Sequence, residues 1–110
     1  MIIESIKWFK KILKKEDDKM IELFEKIKEK LENNDNIDKI EYENNIIILE
    51  DDEYLYKLSD NFNNNYEIIQ INKINLEIYH IFSINKISFE EREEKLYEII
   101  INYLKNLFDY

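Results

Sequence analysis

The chain contains no glycine, proline or cysteine, and no alanine, valine or threonine either. Each absence removes chemistry. Phosphate-cradling loops and nucleophile elbows depend on glycine, which alone lets the backbone approach a ligand closely or take positive φ at little steric cost. Without cysteine there are no disulfides, thiolate nucleophiles or redox pairs, and the usual structural zinc sites are excluded. A reducing compartment fits that composition without being required by it. No run approaches the roughly 20 consecutive apolar residues of a membrane helix, and no signal-peptide pattern opens the chain, so a soluble cytoplasmic protein is expected. What remains is dominated by Ile, Lys, Asn, Glu and Tyr, with Arg92 the sole arginine. These are residues with A/T-rich codons, so the alphabet reflects genome composition first and design second.

A length of 110 residues sets a single domain with one core. With 45% apolar and 14% aromatic residues, that core can be built despite 37% charged residues. The charge is uneven. Residues 1–15 carry Lys7, Lys10, Lys11, Lys14 and Lys15 against Glu4, a balance of +4, so the remaining residues hold −13 of a net −9. An acidic body repels nucleic acid, whose phosphates demand a basic surface. It suits a protein partner with a basic surface, such as the cationic groove of a nucleic-acid enzyme. The plainer account is that the charge maintains solubility.

Ile2, Ile6, Phe9 and Leu13 make an amphipathic stripe, so residues 1–15 are expected as a basic amphipathic helix. Asp17 and Asp18 precede a second stripe of Met20, Leu23 or Phe24, Ile27 and Leu31, which predicts a helix over 17–33. The two stripes are nearly in phase, and one long bent helix is the alternative to two. Over 37–83 the period shifts towards two. Ile40 and Tyr42 alternate with charged residues, Asn44-Asn45 offers a tight turn, and Ile46–Glu50 reads as a strand buried on both faces. Tyr54, Tyr56 and Leu58 favour a strand over the helix that Leu55, Leu58 and Phe62 would allow. Tyr66–Ile71 and Ile74–Phe82 form a hairpin across Asn72-Lys73. Ser88 and Glu91 make a capping box, with Ile87 just outside, for a long apolar helix over 88–109 whose polar line is Glu98, Asn102, Lys105 and Asp109. That helix must be covered on more than one side.

The expected fold is therefore α+β: two N-terminal helices (or one bent helix), an antiparallel sheet of about five strands, and a long C-terminal helix. In element order this is similar to the secretion-chaperone fold, a family that also combines small size with low pI. The resemblance implies a homodimeric chaperone or adaptor. Tyr97, Ile101, Leu104 and Phe108 on the last helix are the dimer face that such a reading selects.

Few residues carry distinctive chemistry. His80 is the single histidine and falls on the apolar side of an alternating run, Ile74, Leu76, Ile78, His80, Phe82. It is expected at the core or its edge, because a base needs a positioned partner and a metal needs further strong ligands. Glu50, Asp51, Asp52 and Glu53 form an acidic tip between two strands. A divalent cation is conceivable there, but the spaced ligands and glycine of a calcium loop are absent; a solvated turn or a contact with a basic partner fits better. Trp8, with Lys7 and Lys11, suits a partner's groove or a membrane surface as well as packing on the body. No cofactor or metal is expected. The composition favours a non-enzymatic inhibitor of a larger basic protein, of the immunity, antitoxin or anti-defence (anti-CRISPR-like) type. The alternatives are the chaperone-like adaptor, membrane attachment through residues 1–15, and a small carboxylate- or metal-dependent enzyme.

Overall fold

The computed structural model describes residues 19–61, 64–86 and 92–109. The expected helix over 1–15, its break at 15–18, and Trp8, Lys7 and Lys11 lie outside those residues. The first described helix, α1, runs over 19–31. Met20, Leu23, Ile27 and Leu31 recur at helical spacing, and all four are buried. Its chain then turns through the asparagines at 33–36 into the sheet. Asn34 Oδ1 accepts the Asn36 N–H at 2.9 Å, as asparagine does in turns.

Five antiparallel strands follow as a simple meander: β1 (Lys39–Glu43), β2 (Ile46–Glu50), β3 (Tyr54–Asp60), β4 (Asn65–Asn72) and β5 (Ile78–Asn85). Asn44 and Asn45 take φ of 50° and 63°, the left-handed pair that a two-residue hairpin needs and that asparagine tolerates best after glycine. Residues 54–60 are strand, as their alternation predicts. The final helix, α2, spans Glu93–Phe108. Its N-cap is Arg92, with no side-chain cap; the expected Ser88–Glu91 capping box and Ile87 lie outside the described residues. Asn36 Nδ2 donates to Phe108 O at 2.8 Å and caps the other end.

The architecture is α+β, with both helices on one face of the sheet. Phe24 of α1 packs on Tyr42 of β1 with ring centroids 5.6 Å apart, and Tyr103 of α2 packs on Phe82 of β5 at 4.6 Å. The helices are side by side and parallel: Lys19 pairs with Glu93 at their starts, and Lys26 lies over the Tyr97 ring. Burial and nearby carboxylates hold the Tyr97 phenol up at about 12, and burial likewise raises Tyr66 beneath it.

Three expectations change here. Tyr97, Ile101, Leu104 and Phe108 do not form an exposed dimer face; all four are buried in the chain's own core, because α2 meets α1 on one side and the sheet on the other. Strand β2 is buried on one face only: Ile47 and Leu49 are fully covered, whereas Ile46 and Ile48 are half-buried on the side away from the helices. His80 is exposed rather than at the core. Ile68 pairs with Phe82 but Ile69 pairs with His80, so Ile81 is an extra residue in β5. A one-residue bulge reverses the side-chain phase before it. His80 and Ile78 consequently point to the outer face of the sheet, beside Ile69 and Ile71.

Candidate functional site

At the end of the sheet where α2 finishes, the β2–β3 and β4–β5 turns lie next to each other. Sequence places four acids in the first turn, and the structure divides them among three roles. Asp51 is buried, with 5% of its surface exposed. Its Oδ1 accepts the N–H groups of Glu53 and Tyr54 at 2.8 and 2.7 Å, and its own N–H reaches Tyr54 O. It is the carboxylate that closes the turn. Glu50 is half-buried and pairs with Lys73 at 2.5 Å. Asp52 and Glu53 face solvent. Asp52 shares a hydrogen bond with exposed Asp38, which holds the Asp38 carboxyl above its usual range.

Lys73 ties the two turns together. Its Nζ donates to Asp51 O at 2.6 Å, and its backbone N–H donates to Glu53 O at 3.0 Å. From there the chain departs from the strand that alternation predicts over 74–82: β5 begins only at Ile78. The asparagines cause this. Asn72 Oδ1 accepts from Ile74 N and Asn75 N, at 2.9 and 3.2 Å, and Asn75 Oδ1 accepts from Glu77 N at 2.9 Å. Leu76 N donates to Asn72 O, and Asn72 N donates to Glu77 O. Every backbone N–H from Asn72 to Glu77 thus has an acceptor, so the turn holds one shape.

That shape shows apolar side chains to solvent. Ile74 is 91% exposed, Leu76 69%, Ile78 59% and Tyr79 51%. Leu76 has φ of 60°, a left-handed conformation that costs an L-residue with a bulky side chain roughly 1–2 kcal/mol. Asparagine or glycine would avoid most of that cost. Strain at an exposed apolar residue, maintained by a complete hydrogen-bond network, gives a physical reason to look for a role outside folding. At the same end of the sheet the carboxylates of Asp38 just before β1, Asp52 and Glu53 in the β2–β3 turn, and Glu77 just before β5 are exposed. The Tyr79 hydroxyl donates to Glu77 Oε2 at 2.5 Å, and that bond raises the phenol's pKa.

The sequence marks the acidic half of this tip and misses the apolar half, since Ile74, Leu76 and Ile78 read there as the inner face of a strand. The signal for them was present in Asn72 and Asn75, both capable of capping a turn. Elsewhere, a shallow groove of about 330 Å³ lies between α1 and α2. Its walls alternate Lys26, Lys30 and Lys105 with Glu94 and Glu98, so it favours neither sign of ligand charge. Among the described residues no three acidic or histidine side chains converge as metal ligands, and none of the helices is long and apolar enough to cross a membrane.

Comparison of the chain with family models, with curated proteins and with solved structures gives no significant match. What can be said of function comes from the tip itself.

Proposed function

We propose that the protein is a non-enzymatic binding factor that inserts this tip into a basic-rimmed apolar cleft on a larger protein and blocks it. The single observation that carries the reading is the apolar prong, Ile74 and Leu76, held out by a fully bonded turn that lies beside the acidic β2–β3 turn. Apolar anchors surrounded by charge are the usual anatomy of a binding hot spot: the buried anchor supplies affinity, and the rim supplies orientation and rate. The acidic surround selects a basic partner and opposes insertion into an anionic membrane surface. A nucleic-acid-handling protein carries such a basic surface, which places the inhibitor, immunity and anti-defence types together on physical grounds.

Only part of the acidic tip is free to contact a partner on this reading. Of Glu50, Asp51, Asp52 and Glu53, only Asp52 and Glu53 are both exposed and uncommitted to holding the turn. Reversing all four would unfold the tip and report nothing about contact. The informative variants are Ile74→Asp with Leu76→Asp, and separately Asp52→Lys with Glu53→Lys. Each should leave the fold intact by far-UV circular dichroism. The first should lower affinity for the captured partner about 100-fold at any salt, and the second should lower it in a salt-dependent way. Affinity unchanged in both would end the proposal.

A further inference from the structure

We infer that the outer edge of β5 is the site where a second copy of this chain adds, by antiparallel pairing of β5 with β5. Among the described residues the sheet ends in β1 and β5, and the two edges differ. Strand β1 is five residues long and shows Lys39, Glu41 and Glu43 to solvent. Strand β5 is eight residues, Ile-Tyr-His-Ile-Phe-Ser-Ile-Asn, with no Asp, Glu, Lys or Arg. Short, charged edges resist strand addition and long, uncharged ones invite it. Charge also selects the occupant. For a chain of net −9, β5 is where two copies can approach without carboxylates facing carboxylates. A β1–β1 pair sets glutamates opposite one another, and a β1–β5 pair leaves both kinds of edge open for unlimited growth. Pairing β5 with itself closes the assembly by a two-fold axis, leaving only the two charged β1 edges outside.

Two backbone hydrogen bonds at the ends of the β4–β5 pair fix the register. Asn72 N donates to Glu77 O and Lys86 N donates to Asn64 O. The alternation between them turns the backbone groups of Tyr79 towards β4 and those of Ile78 and His80 outward. Beyond them the bulge at Ile81 interrupts the strand, and the Tyr103 hydroxyl from α2 donates to Ile81 O at 3.0 Å. The two-fold axis therefore passes at Tyr79, with Ile78 of one copy opposite His80 of the other. Tyr79 then faces its counterpart as a non-hydrogen-bonded pair, with Cα atoms about 4.5 Å apart. Ile74 and Leu76 lie outside the paired segment, so this inference does not rest on the capture reading. Because Tyr79 lies one residue from the tip end of β5, the two tips flank the two-fold axis.

Sedimentation equilibrium on the full chain tests it directly. The mass should rise from 13.7 kDa towards twice that value as concentration increases to a few hundred micromolar. His80→Pro removes an outward N–H at a position where an edge strand accepts proline, and should weaken the dimer at least ten-fold. Because the chain has no cysteine, Tyr79→Cys gives a second reading: mild oxidation should link two copies through that residue, within disulfide reach, while Glu41→Cys on β1 should stay monomeric. A mass that stays at 13.7 kDa throughout, or a Tyr79→Cys chain that links no faster than Glu41→Cys, overturns the inference.

Discussion

Two neighbouring turns at one end of the sheet use opposite chemistry. In the β2–β3 turn the residue with the most conspicuous chemistry, Asp51, is buried and closes the backbone. In the β4–β5 turn the closing work is done by neutral Asn72 and Asn75, and the residues that reach solvent are Ile74 and Leu76. Burial and exposure are thus inverted relative to what hydropathy alone suggests. A charge can be a structural element when it satisfies backbone N–H groups, and an apolar side chain can be surface when caps fix the backbone beneath it.

The comparison can be broken at several points, in order of expected size. Asp51→Ala leaves two turn N–H groups without their charged acceptor and should cost about 3 kcal/mol of stability, read as a lower urea midpoint at unchanged slope. The next effect belongs to neither turn. Tyr66 and Tyr97 have phenols raised above their ordinary value of 10, so the unfolded chain releases their protons first. Stability is therefore complete below pH 10 and falls as pH rises from there through about 12. Urea titrations over that range should show the fall, with the ranking of the turn variants preserved. Leu76→Gly should act in the other direction: releasing the left-handed strain outweighs the added entropy of glycine and stabilises by about 0.5–1 kcal/mol. The same change should weaken capture of a partner, and a gain in stability together with unchanged capture would show that Leu76 has no binding role. Smallest of all, Asp52→Ala and Glu53→Ala should shift stability by less than about 0.5 kcal/mol, although Asp51 is their immediate neighbour in sequence.

How far the sequence could be read varies with the physics at each position. The stripe Met20, Leu23, Ile27, Leu31 is legible because burial on a helix imposes its period on the residues, and all four are core. Asn44-Asn45 is legible because few residues without glycine's freedom accept two left-handed conformations in succession. The strand over Tyr54–Asp60 follows from Tyr56 and Leu58 facing inward together. His80 is misplaced by alternation because one extra residue, Ile81, reverses the phase, and no side chain announces a bulge. Ile74 and Leu76 are misplaced because they continue the period-two pattern of β5 in sequence while the side chain of Asn72 diverts the backbone. The four consecutive acids look equivalent until the end of β2 decides which one meets the turn N–H groups. The long apolar helix invites a dimer face, yet α1 and the sheet cover it; amphipathic width tells how much surface is buried and not by what.

On the proposed reading, the prong and the exposed acids of the neighbouring turn form one contact surface. The direct measurement is capture from native cells by four full-length chains: the natural protein, Ile74→Asp/Leu76→Asp, Asp52→Lys/Glu53→Lys, and Glu98→Lys on the exposed side of α2 as a control. A single basic partner retained by the natural chain and by Glu98→Lys, and lost by both tip variants, is the predicted result. The same partner held equally by all four would contradict the account.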